Sequence, residues 1–230
     1  MFLSERIKNI DKNDRVLEIG PGNGPHPRAD AFLDITYSSN DEKLGQFGFG
    51  TKKIDVSYKK PIYYYDGKKF PFKDKEFDYI ICSHVIEHVE SIPDFVKELE
   101  RVAHKGYLEF PSPYYEYLYN FVEHKSFLYY SKNKNKIYWM EKGDKLKEFE
   151  KCNIFLKQTI EKGYVEIFMS NKECFFHGFE WESHIDIEEI KNLSEMQFET
   201  VTINPARISF IQKIKNIIKK ILRMMKIIKK

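Results

Sequence analysis

Histidine and carboxylate side chains are the groups best suited to moving a proton near neutral pH, and this chain sets several beside apolar runs. His84 and His88 stand four apart, a spacing that puts two residues on one face of a helix, and the residues between them complete the pattern H-x-x-E-H. His124 follows the last of the central apolar runs, and His26 comes just after a glycine-rich loop. His124, then His84, are the first candidates for a base or a substrate-orienting group. A metal reading of the pair at 84 and 88 lacks a third ligand in the nearby sequence, so no metal is expected. Three acids, Glu18, Asp34 and Asp66, stand within or at the ends of short apolar runs.

The elements that position these groups centre on RVLEIGPGNG, residues 15–24. Val16, Leu17 and Ile19 read as a core strand running into a loop. Glycines at 20, 22 and 24 let the backbone take positive φ and approach a ligand closely; Asn23 stands among them. No Lys-Ser/Thr follows, as a phosphate-binding loop needs, and the glycine spacing is not that of a dinucleotide fold. A carboxylate beside the loop repels a pyrophosphate. It suits a ligand with an ammonium or sulfonium charge and ribose hydroxyls, a description that fits S-adenosylmethionine (SAM).

The stretch resembles motif I of class I SAM-dependent methyltransferases, and further blocks extend the likeness. DGKKFPFKDKEFDYIICSHVIEH (66–88) is similar to the methyltransferase type 11 pattern D-x-x-x-L-P-F…F-D-x-[VI]…H-x-x-E-H, and ELERV (98–102) and GYLEFPSP (106–113) follow in order. The resemblance implies that Glu18 and the backbone around Gly20, Gly22, Asn23 and Gly24 hold the methionine part of SAM. It also implies that Asp34 accepts the ribose hydroxyls and Asp66 the adenine amino group. Gly67 would lie near the adenine, Phe70 would line the ring pocket, and Ser83 and His84 would approach the sulfonium. The segment PHPRAD (25–30), with His124, is similar to a subgroup associated with surface-polysaccharide genes.

The rhythm of strand, loop, strand and helix over 15–113 predicts an α/β fold with a mostly parallel, Rossmann-like sheet and an antiparallel edge. A leading helix is expected over 4–13, capped by Ser4. Only nine residues separate Gly24 from Asp34, so the first crossover must be very short or irregular. Residues 36–60, with Gly45, Gly48 and Gly50, read as a long loop that either closes over a ligand or stays solvated. Helix is expected from 83 to 101, with a second piece opened by Pro93 and capped by Ser91. Beyond 113, strands are expected over 136–139, 164–169 and 174–181, the last two as a hairpin, and a short helix over 185–193. Elements within 114–185 would cap the substrate side of a domain spanning 1–206.

Balanced charge and abundant aromatics indicate a folded chain of 230 residues. The cysteines at 82, 152 and 174 form no C-x-x-C pair and suit a reducing compartment. Nine of the 38 Lys/Arg lie in 207–230 with no acid among them, leaving 29 against 35 acids in the rest, a balance of −6. Nucleic acid is therefore not an expected partner of the main body. The tail alternates an apolar stripe with cations only, as a helix lying on an anionic membrane does. The combined reading is a cytoplasmic enzyme, peripheral on the inner membrane face, that O-methylates a sugar or lipid-linked surface glycan. The alternatives are methylation of a small soluble metabolite or quinone, and a non-catalytic SAM-binding scaffold.

Overall fold

The computed structural model describes residues 1–37, 59–161, 168–200 and 203. Its strands in chain order are β1 (Val16–Ile19), β2 (Ala31–Ile35), β3 (Ile62–Tyr65), β4 (Phe77–Ser83), β5 (Ala103–Pro111), β6 (Ser126–Ser131), β7 (Lys136–Glu141), β8 (Phe176–Glu182) and β9 (Ile187–Glu189). The helices are α1 (Ile92–Val102), α2 (Pro113–Tyr119), α3 (Glu150–Glu161) and α4 (Lys172–Phe175).

All four residues of β1 are buried because a parallel partner lies on each side, β2 through Leu17 opposite Ala31 and β4 through Leu17 opposite Ile80. Strands covered on both faces read as continuous apolar runs, which is why 16–19 and 79–82 carry so clear a signal. The main sheet has the order β3-β2-β1-β4-β5-β8. Its first five strands are parallel, and β8 runs antiparallel to β5, with Leu108 opposite Phe179. This is the expected Rossmann-like sheet with an antiparallel edge. Parallel pairing puts the carboxyl ends of β3, β2, β1 and β4 on one edge, and with them Asp66, Asp34, Gly20 and Ser83.

A second sheet, β6-β7-β9, lies beyond β5 in sequence. Its Leu128, Ile137 and Trp139 pack in the same buried cluster as Leu108 and Phe110 of the main sheet. Helix α1 follows the expected second helical piece. Ser91 caps it by accepting from the Asp94 amide at 3.3 Å, and Pro93 lies in the first turn. Ile92, Phe95, Val96, Leu99 and Val102 are buried, and each such side chain contributes about 1.5–3 kcal/mol. Arg101 on this helix bonds Glu98 at 2.7 Å, Asp74 at 2.9 Å and the Phe70 and Phe72 carbonyls, while Glu98 accepts from the Phe70 amide. The helix thereby pins the turn that follows Asp66 and Gly67.

Several expectations are corrected. The leading helix is a single 3-10 turn, Ser4–Arg6, entered from Leu3 with no side-chain cap; Ile7 and Ile10 still pack against the cluster of Val16, Tyr79, Ile81 and Tyr107. Turns without helix join β1 to β2, as the short crossover requires. Ser83 ends β4 and residues 84–91 hold only a 3-10 turn, Ile86–His88, because His84 takes φ +58 and breaks the helical path. Phe168 and Met169 are helical rather than extended, residues 164–167 of the expected strand lie outside the described residues, and β8 pairs antiparallel with β5. The helix expected over 185–193 contains β9, paired in parallel with β7. The basic tail at 207–230 and most of the 36–60 segment lie outside the described residues. No described helix is long and apolar enough to cross a membrane.

Candidate active site

At the end of β1 the chain turns through Gly20 (φ +62) and Gly22 (φ +55), conformations that side chains with a Cβ adopt at a cost. The Gly20 amide donates to the Leu33 carbonyl at 2.8 Å, tying the loop to β2. Gly24 needs no positive φ, and a Cβ there would meet open space. Glu18 is buried beneath the loop and accepts from the His26 amide at 2.7 Å. Burial raises its carboxyl to about 7, the His26 amide opposing, so this acid lies close to the point where a neighbouring cation would ionise it.

Asp34, also buried, accepts from the Tyr37 hydroxyl at 3.1 Å and the Ile35 amide at 2.9 Å. Asp66 is exposed and accepts from the Lys68 amide at 3.0 Å; Gly67 follows at φ +85, close to the Ile35 side chain. The sheet edge thus presents three carboxylates in the order of its strands. Phe70 departs from the expected position. It is 1% exposed and packs edge-on against Tyr65 and Phe95 in the core, leaving almost no surface to offer a ring.

Beyond β4 stands a second, denser set of charges. His84 places Nδ1 3.2 Å from Glu87 and Nε2 3.1 Å from Glu109, both carboxylates being fully buried. Burial opposes charge on the ring, but the bonds to Glu109 and Glu87 outweigh it and raise His84 to about 9. His84 is therefore an imidazolium at neutral pH, with no lone pair to take a proton, which removes it from the base role its sequence position suggests. Glu109 accepts from the Phe2 and Leu3 amides, Ser83 and Tyr107 as well as His84. Burial alone would raise it, yet His84 and these donors bring it to about 2.

His88 and His124 come together with their rings 4.6 Å apart and nearly perpendicular. The left-handed Asn120 (φ +43) ends α2 and turns the chain back, and the Lys125 amide donates to the Glu87 carbonyl at 2.7 Å. His88 donates from Nδ1 to the Glu123 carbonyl at 3.1 Å, and burial lowers its pKa to about 4, so it is neutral. His124 bonds through Nδ1 to the buried Glu116, which also accepts from the buried Lys142 at 3.0 Å. The helical-face pairing expected for His84 and His88 does not form: each ring serves a different partner. His26 stays at the loop, its Nδ1 accepting from the Arg28 amide, and burial lowers its pKa.

Sequence reasoning missed Glu87, Glu109, Glu116 and Lys142 as parts of this cluster. The signal for the acids was an isolated carboxylate inside an apolar or aromatic run, as in YLEF around 109 and YYEY around 116.

The model of a family described as methyltransferase domain matches residues 1–162. No curated protein matches. Among solved structures the chain is similar to the YcgJ protein of Bacillus subtilis, at 18% identity over 43% of this chain and 44% of that one, with a TM-score of 0.30. It is also similar to an S-adenosylmethionine-dependent methyltransferase of Mesorhizobium loti, at 16% over 44% and 49%, TM-score 0.31. A third is the N-terminal domain of EvdMO1, solved with SAH and D-fucose, at 19% over 44% and 45%, TM-score 0.28. The chain spans less than half the length of these solved chains. By the match over residues 1–162, the chain belongs to the family described as methyltransferase domain.

Proposed function

We propose that the protein transfers the methyl group of SAM to an oxygen of a sugar or lipid-linked glycan, and that the cluster around His124 handles the acceptor's proton. The observation that carries the reading is the His124–Glu116 pair, buried on the carboxyl side of the sheet beyond β4. A hydroxyl is a poor nucleophile until its proton is taken, and a histidine held by a carboxylate through Nδ1 offers Nε2 for that purpose.

The residues at the sheet edge fit the donor. Gly20 and Gly22 leave a Cβ-free cradle in positive φ, and Glu18 lies below it. Glu18 with the glycine loop would hold the methionine part, Asp34 the ribose hydroxyls and Asp66 the adenine amino group. SAM supplies an electrophilic methyl on a sulfonium; the chain's own residues align the acceptor and exclude water. Tyr114 and Tyr117 on α2 are part-exposed aromatic residues, with one ring set against Phe198 and the other stacked on Phe127, of the type that sugars pack on. The cationic, amphipathic sequence of 207–230 supports an acceptor at the cytoplasmic face of an anionic membrane, and sets that segment apart from a methyltransferase domain over 1–206.

Incubation with radiolabelled SAM and membrane-derived glycan fractions tests this. Label in a lipid-linked or polysaccharide fraction supports the reading, with His124→Gln reducing turnover about 100-fold or more at unchanged SAH affinity. Label confined to small soluble metabolites would replace the acceptor class, and SAH binding without turnover on any fraction would favour a SAM-binding scaffold.

A further inference from the structure

One side of the His88–His124 pair holds a feature that methyl transfer does not explain. Glu87 is fully buried; its Oε1 faces His84, but its Oε2 has no hydrogen-bond partner among the described residues. A buried carboxylate oxygen without a partner is costly and points to something that would occupy the space before it. One ligating atom from each of Glu87, His88 and His124 lies within 4.8 Å of the others.

The hydrogen bonds around these residues fix which atoms are open. The Glu123 carbonyl can only accept, so His88 Nδ1 carries hydrogen and Nε2 the lone pair. His124 turns Nδ1 to Glu116, leaving Nε2 open in the same way. Metal-ligating histidines are held like this, with the second nitrogen donating to a carboxylate or a backbone carbonyl. Lys142 holds Glu116 in turn, through its other oxygen, at 3.0 Å. The ligands are thus oriented by a shell of their own.

We infer that Glu87, His88 and His124 form a binding site for a divalent transition-metal ion of the zinc type. Two imidazoles and a carboxylate are a donor set for zinc or a neighbouring first-row ion rather than for magnesium or calcium, which prefer oxygen alone. Tetrahedral zinc with bonds of about 2.0–2.2 Å sets its ligand atoms about 3.4 Å apart, so no pair would need to close by more than about 1.4 Å on binding. Three protein ligands leave a fourth position for an oxygen, either water or an acceptor hydroxyl. That catalytic consequence rests on the methyl-transfer reading above. A bound ion would occupy the Nε2 lone pair of His124 and take the ring's place as the group that activates the acceptor hydroxyl. The binding of an ion does not rest on that reading. It replaces the absence of metal expected from the sequence, which was blind to the third ligand in a separate element.

The test uses the full chain, stripped with chelator and titrated with Zn²⁺ and with Co²⁺, and reads bound metal per chain and the visible Co²⁺ spectrum. The inference expects one ion per chain and a Co²⁺ spectrum of nitrogen and oxygen ligation without thiolate charge-transfer bands. Glu116→Gln, which removes only the partner of His124, should weaken binding by about 10–100-fold, and His88→Ala should abolish the stoichiometric site while circular dichroism stays native. Sub-stoichiometric metal on the parent chain, thiolate bands from the cysteines, or unchanged affinity in a folded His88→Ala chain would each overturn it. Should the variants not fold, the stoichiometry and spectrum of the parent chain decide. SAH calorimetry on the stripped protein reports on the methyl-transfer reading separately.

Discussion

The Cγ2 methyl of Val85 lies where a side chain at residue 20 would have to go: a Cβ on Gly20 would approach it to 2.5 Å. The loop after β1 and the turn after β4 are thus fitted to each other. Gly20→Ala should lose about 1–3 kcal/mol of stability from the left-handed backbone alone, and SAH affinity should fall at least tenfold by calorimetry. Adding Val85→Ala should recover the part due to the clash and leave the part due to φ. Full recovery would show that backbone strain contributes nothing here.

Glu18 should make donor binding depend on pH. Its folded pKa of about 7 lies above the ordinary carboxylate value, so ionising it costs folding stability as pH rises from about 4.5 through 7. A cationic ligand favours the ionised form. SAM affinity should therefore climb with pH and level off above about 7, and Glu18→Gln should give a weak, flat profile. A parent profile that is flat across that window would remove Glu18 from the donor site.

Asp34 should matter to the ribose. Hydrogen bonds to a charged group are worth about 1.5–3 kcal/mol, so Asp34→Asn should weaken SAH binding by about 10–150-fold. A deoxyribose analogue should lose much less between parent and variant. Equal losses for both ligands would mean that Asp34 acts only through Tyr37 and the β2 backbone.

Glu109 should anchor stability in acid. Its folded pKa of about 2 lies below the ordinary value, so its contribution is complete above about 4.5 and is lost as pH falls through 2. Replacing one partner in a buried charged network costs about 3–5 kcal/mol. Glu109→Gln should lose an amount of that order in urea unfolding at pH 7 and show a flatter acid limb. An unchanged midpoint would show that the five donors find other acceptors.

How much of this was legible in the sequence follows from how each element is stabilised. β1, β4 and β5 are covered on both faces, so Val16–Ile19 and Phe77–Ser83 announce themselves as apolar runs, and the glycines and Asp34 take their places from those strands. The break at His84 was hidden because Val85, Val89 and Ile92 keep helical spacing, while the left-handed turn is held by Glu87 and Glu109. β6 (SFLYYS) carries aromatics that suit a helix or a strand equally, and β9 is too short to show a period. The buried acids could not be paired from sequence, because Glu109 meets Phe2 and Leu3 and Glu116 meets Lys142, all from different elements.

Turns alone join β1 to β2, and that omission sets the electrostatic sign of the cradle. A helix beginning at Gly24 would aim the positive end of its macrodipole, about half a proton charge, back at the loop. Without it, only the His26 amide offsets the charge of Glu18, and once that acid ionises the local potential favours cations. A positively charged sulfonium should be retained more firmly than the uncharged thioether left once its methyl has gone. Spent nucleoside should accordingly leave readily, and turnover should show little product inhibition.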